Sequence, residues 1–138
     1  MTCFAVIDTN VLVSALLTRR SDSAPVVIIE KVFSGKVVPV FCKKILEEYY
    51  SVLQRDKFGF DSVMVTTFLH EFQRQGLLME MAQTDIILPD MKDMPFYAVS
   101  LAGRATTTYL ITGNLKHFPA RPFIVSPARF LELLLNID

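Results

Sequence analysis

The chain has 138 residues, a length that suits one domain with one core, spanning 1–138. Its 14 basic and 14 acidic residues cancel, which excludes a global electrostatic footprint for nucleic acid and leaves a polyanion only a local patch to bind. Hydrophobic residues make up 51% and mean hydropathy is +0.38, enough to fill a core and to leave apolar surface for a partner or a second copy, yet no stretch is long and apolar enough to span a bilayer.

Phe4-Ala5-Val6-Ile7 reads as a short buried strand. Asp8 falls where that strand ends, and Asn10 is placed to cap a helix reaching Thr18. Asp8, Thr9 and Asn10 break the apolar run, so it does not read as a secretory leader. Cys3 and Cys42 fit no metal or redox spacing, and such a pair is expected in a reduced, cytoplasmic protein. Arg19-Arg20 suits the dipole at the helix end. Ser23 with Pro25 opens a second helix, with Ile28, Ile29, Val32 and Phe33 on its apolar face, and Gly35 stops it.

Val37 to Phe41 reads as a strand, and Pro39 puts it near a sheet edge or at a strand end. Lys43 to Leu53 is a helix at 100° per residue, with Ile45, Leu46, Tyr49, Val52 and Leu53 on one face. Glu48 flanks that face, whereas Glu47 points the opposite way. Asp61 caps a further helix to Gln75, with Val65, Phe68, Leu69 and Phe72 inward and Gly76 as terminator. Leu77 to Met81 fits a strand better than a helix end. A loop from Ile86 leads to Asp93, which is expected to cap a helix with Pro95 in its first turn and Gly103 at its end. Tyr109 to Thr112 is a strand turned by Gly113-Asn114, and Phe123 to Val125 is a last short one. Ser126-Pro127 opens a final helix through Phe130, Leu131, Leu134 and Leu135. Strands alternating with helices predict an α/β fold with a mainly parallel sheet covered on both faces.

Four places then carry chemistry: Asp8 and the pair Thr112–Asn114 at strand ends, Asp93 at a helix start, and Glu48 on a helix flank. Each has an ordinary explanation as a cap, a turn residue or a solvated charge. As a set they can converge only if something offsets their repulsion, and a hard divalent cation such as Mg²⁺ prefers oxygen ligands.

Four segments carry a resemblance: Val6-Ile7-Asp8-Thr9-Asn10-Val11-Leu12, Ile45-Leu46-Glu47-Glu48-Tyr49, Asp93-Met94-Pro95-Phe96-Tyr97-Ala98-Val99-Ser100 and Tyr109-Leu110-Ile111-Thr112-Gly113-Asn114. In this order, over nearly the whole chain, they resemble PIN-domain ribonucleases, with the closest likeness to the prokaryotic branch assigned as toxins of toxin–antitoxin pairs. The resemblance implies a three-layer α/β/α fold and Mg²⁺- or Mn²⁺-dependent cleavage of single-stranded RNA. It implies carboxylates at Asp8, Glu48 and Asp93, with Glu48 as a ligand or as a base acting through water. It also implies an antitoxin protein as a partner, while the apolar composition leads to the expectation of a homodimer with a second copy of the chain. Asn114 departs from the family pattern, which has an acid there; an amide oxygen can still bind a cation, and Asp90 is a candidate for replacement charge. Thr9, Asn10, Ser14 and Thr112 are the candidates for aiming the carboxylates through hydrogen bonds.

Other residues read as less functional. His117 and His70 fit packing or solvated positions, and Arg19, Arg20, Lys43, Lys44 and Lys116 fit scattered surface charges that can touch phosphates. A rival reading is a catalytically weak PIN-like module that binds protein or RNA. A phosphotransferase of the haloacid-dehalogenase type would want an acid where Asn10 stands, and there is no Gly-x-x-x-x-Gly-Lys run for a phosphate loop.

Overall fold

The computed structural model describes residues 2–137. Among them, five strands form one all-parallel sheet: β1 (Cys3–Ile7), β2 (Val37–Phe41), β3 (Leu77–Leu78), β4 (Tyr109–Ile111) and β5 (Ile124–Val125), in the order β3-β2-β1-β4-β5. Six helices connect and cover them: α1 (Thr9–Leu17), α2 (Ala24–Phe33), α3 (Lys43–Leu53), α4 (Ser62–Gln75), α5 (Met94–Ala102) and α6 (Pro127–Ile137). This is the expected three-layer α/β/α architecture. Ala5, Val6 and Ile7 of β1 are fully buried, as a central strand covered on both faces requires.

From β1 the chain builds outward through β2 to β3. It then crosses back to lay β4 on the other side of β1, followed by β5. The direction of winding therefore reverses between β1 and β4. In open parallel sheets the crevice at such a reversal, at the carboxyl ends of the strands, is where ligands bind. Asp8 follows β1 and Thr112 follows β4, so both stand at that crevice.

Local signals set most helix ends. The Ser23 hydroxyl accepts from the Val26 amide (3.4 Å), Asp61 from Met64 (3.0 Å) and Ser126 from Arg129 (3.1 Å). Gly35 turns the chain after α2 with φ at +83°, a conformation open to glycine. Pro39 lies in β2, beside the edge strand β3 and so near the sheet edge as expected; β3 starts opposite Val40, so its ladder does not need a proline amide. Three expectations are corrected. Asn10 does not cap α1, which begins at Thr9; its side-chain amide instead bonds Asp8, two residues back, and the distant Gly113. Asp93 precedes α5 but makes no capping bond, because its carboxylate is engaged by His117; Asp90 caps the short turn before it through the Lys92 amide. Asn114 has φ at −120° and is not a left-handed turn residue.

Tyr49 ties this frame to the crevice. It is fully buried on α3, with its ring edge-on to Phe72 of α4 (5.6 Å between centroids) and tilted against Phe96 of α5 (6.3 Å). Its hydroxyl donates to the carbonyl of Ile7, the residue before Asp8. Burial, with Asp8 and Glu48 nearby, keeps that phenol protonated well beyond its usual range, so it stays a donor. Tyr49→Phe is expected to lower stability by about 1–2 kcal/mol, the cost of a buried carbonyl left unpaired. Tyr49→Ala should cost about 3–5 kcal/mol by emptying the aromatic cluster. Urea denaturation of the two variants checks both figures.

Candidate active site

The crevice is built around Asp8. Its backbone amide donates to the Ile111 carbonyl at 2.9 Å, which continues the β1–β4 pairing one residue past β1. The side chain is 6% exposed. Its Oδ2 accepts from the Thr112 hydroxyl at 2.7 Å and from the Asn10 amide at 3.1 Å. Asn10 in turn accepts the Gly113 amide on its own Oδ1 (3.1 Å), and the Asn114 amide donates to the Thr112 hydroxyl oxygen (3.0 Å). A closed set of hydrogen bonds thus joins the end of β1 to the end of β4 and fixes the Asp8 rotamer from two sides.

The other two predicted carboxylates come to the same place from different elements. Glu48 projects from α3, and its Oε2 accepts the hydroxyl of Thr9, the residue after Asp8. Asp93 precedes α5, and the Nδ1–H of His117 donates to its Oδ2 at 3.0 Å. Each of the three acids therefore has its own hydrogen-bonding partner, and the three remain close enough to repel. Burial pushes the Asp8 carboxyl up from 3.8 to about 6; the Thr112 bond opposes this, and the Asp93 and Glu48 charges add to it. Asp93 is also raised, first by burial and then by Asp90, against the lowering effect of His117. Glu47 is more exposed than Glu48 and makes no hydrogen bond to this group, although it lines the groove between α3 and the Met91–Asp93 turn.

Two predicted residues stand apart. Ser14 is exposed on α1 and hydrogen-bonds none of the three carboxylates. Asn114 shares the turn after β4, but its exposed side chain makes no bond to the cluster; only its backbone amide is engaged. His117 is the residue that sequence reasoning passed over. It lies 24 positions from Asp93, on a different element, and no local pattern joins the two. The available signal was its place a few residues beyond Thr112, in the turn leaving a strand that carries a site residue.

Among the described residues, no three carboxylate, imidazole or thiol groups stand close enough to enclose one ion by themselves. The donors are nonetheless oxygens of mutually repelling carboxylates, the set a hard cation relieves. Mg²⁺ is commonly held by one or two carboxylates and keeps several waters, so an open arrangement fits it.

A doubly wound parallel sheet with a buried acid at its switch point, flanked by two further carboxylates, defines an α/β domain with an acidic crevice where such sheets bind ligands. The PIN domain family matches residues 5–116, and the chain belongs to that family. No curated protein and no solved structure matches it. PIN domains are generally nucleases, and such nucleases typically use divalent metals. Among the described residues no helix is long and apolar enough to cross a membrane.

The Asp8 charge is costly to the fold. Between about pH 4 and pH 6 the folded protein binds a proton that the unfolded chain releases, so this group's contribution to stability falls as pH rises through that window. Asp8→Asn keeps an oxygen to accept from Thr112 and removes the charge. It should stabilise the protein by about 1–3 kcal/mol at pH 8 and by little at pH 4. Urea denaturation at the two pH values tests this; an equal gain at both would place the cause outside the Asp8 charge.

Proposed function

We propose that this protein is a Mg²⁺- or Mn²⁺-dependent endoribonuclease that hydrolyses phosphodiester bonds in single-stranded RNA. The observation that carries the reading is a buried Asp8, held rigidly by Thr112 and Asn10, sharing its field with Glu48 and Asp93 at the switch point of a PIN domain. Asp8 and Asp93 would hold the cation, and Glu48 would ligate it or, through water, take the proton of the attacking nucleophile. When bound, the cation supplies Lewis acidity at the phosphoryl group. Thr112 and Asn10 orient Asp8, Thr9 orients Glu48, and His117 orients Asp93. Asn114 would add a neutral oxygen at most, which makes the site a weak Mg²⁺ binder because affinity for hard cations rises with ligand charge.

On the same reading the chain is one domain, the toxin component of a toxin–antitoxin pair. It acts in the cytoplasm with an antitoxin protein as partner and a second copy of itself as dimer mate. The support for this wider setting is the resemblance of its four motifs to that branch. The neutral Asn114 favours one competing reading, a catalytically weak module that works by binding RNA or protein.

Asp8→Asn should abolish cation-dependent cleavage of single-stranded RNA while the protein stays folded. Glu48→Gln should slow cleavage about 10²–10⁴-fold, as for loss of a general base, with Glu47→Gln close to the parent. Cleavage that survives in both site variants, with contaminating nuclease excluded, would remove these carboxylates from the mechanism, and a parent protein that shows no cation-dependent cleavage would leave the binding module as the better account. Calorimetric Mn²⁺ titration adds two expectations that need no turnover. Asn114→Asp should bind more tightly than the parent, and His117→Ala should bind about 10–100-fold more weakly because Asp93 loses its orienting partner.

A further inference from the structure

The turn that carries His117 continues into a groove that the catalytic reading leaves unused. The segment between β4 and β5 encloses about 680 Å³, lined by Leu115, Lys116, Phe118, Pro119, Arg121 and Pro122 among others. Its volume falls within the roughly 300–1,000 Å³ of small-ligand sites. Leu115 is 47% exposed and Phe118 is buried beneath, so the floor is apolar and partly open. Lys116 and Arg121 are exposed, neither is paired with an acid, and Arg121 donates only to the neighbouring Ala120 carbonyl (2.9 Å).

Charge separates this groove from three others on the surface, and a fourth, with Lys43 and Lys44, also holds Glu80. The groove beside α4 contains Asp61 and Glu71 and no base. The one along residues 81–98 contains Asp85 and no base. The one between α3 and the Met91–Asp93 turn balances Lys44 and Lys92 against Glu47 and Glu48. The β4–β5 groove contains two cations and no acid. It also neighbours the proposed site, because its lining residues Leu115 and Lys116 share one helical turn with His117, which is bonded to Asp93. A polyanion reaching the carboxylates alone would meet like charge; here it meets an apolar floor with cations at the rim.

We infer that this groove is a subsite for single-stranded RNA, seating a nucleotide next to the scissile phosphate, with Lys116 and Arg121 on backbone phosphates and its base on the Leu115–Pro119 surface. The inference rests on the nuclease reading and assigns the strand its path. Apolar contact of this kind tolerates any base, so the subsite would bind RNA with little sequence preference.

The test measures fluorescence anisotropy of a labelled single-stranded 12-nucleotide RNA of mixed sequence, with Mg²⁺ present. The full chain is used as Asp8→Asn, so that the RNA is not cut. Adding Lys116→Gln with Arg121→Gln should weaken binding about tenfold at low salt and reduce the slope of log affinity against log salt by about 1.4, near 0.7 for each lost phosphate contact. A charge-matched control, Lys31→Gln with Lys36→Gln, alters the end of α2 and the turn before β2, at the opposite ends of the strands; it should leave the slope unchanged. Melting curves show that each variant is folded. Equal weakening by both pairs, or none by the groove pair, would overturn the subsite while leaving the nuclease reading intact if Asp8→Asn has abolished cleavage. RNA bound by none of the proteins would overturn both. Self-association lost in the groove pair with RNA affinity unchanged would give the groove to a second copy of the chain instead.

Discussion

The hydrogen bond from the Thr112 hydroxyl to the Asp8 carboxylate, at 2.7 Å, is the interaction on which the crevice depends. It joins residues 104 positions apart, and it can form only because β4 is laid directly beside β1 in parallel. Thr112 is itself fully buried, so its hydroxyl has no water to turn to. Asn10 closes the same arrangement from the other side, accepting the Gly113 amide and donating to Asp8. The carboxylate is thus held in one rotamer at the cost of an unfavourable buried charge. The apolar strand beneath it carries that cost: Ala5, Val6 and Ile7 are fully buried, and the Ile7 carbonyl is bonded to Tyr49.

The same logic of one anchor per acid extends outward. Thr9 holds Glu48 and His117 holds Asp93. None of these partners carries a permanent positive charge, so the site keeps its negative charge; burial raises the Asp8 and Asp93 carboxyls, and neighbouring carboxylates add to the rise. An arginine in any of these places would have discharged the field by direct pairing. Hydroxyl, amide and imidazole partners orient without neutralising, which leaves the charge to attract a cation. The exposed cations of the β4–β5 segment lie beyond this shell, separate from the acids.

Much of this was legible in the chain itself. The buried run ending at Asp8, the alternation of strands and helices, and the caps at Ser23, Asp61 and Ser126 depend on near neighbours in sequence, and local physical chemistry decides them. The helical wheel separated Glu48 from Glu47 for the same reason, since a 100° step fixes which of two adjacent residues flanks a buried face. The order of four motifs also carried the resemblance to the PIN-domain family, which the family match over residues 5–116 bears out.

The sequence could not say how the polar side chains would be shared out. Asn10 and Asp93 both looked like helix caps, and both were taken by partners from distant segments: Gly113 for Asn10, which also donates to nearby Asp8, and His117 for Asp93. A cap competes with a tertiary bond for the same lone pairs, and burial decides the contest by removing water as the third option. His117 looked like an ordinary turn residue because its partner belongs to another element. Ser14, one helical turn beyond Asn10, had the right chemistry and the wrong direction, and solvent took it. By itself the sequence determined the strand that buries Asp8 and the helix face that carries Glu48, since both follow from periodicity. Only the tertiary structure decided which hydroxyl, amide and imidazole would hold each acid, because hydrogen bonds between distant segments depend on the register of β1 against β4 and leave no period in the chain.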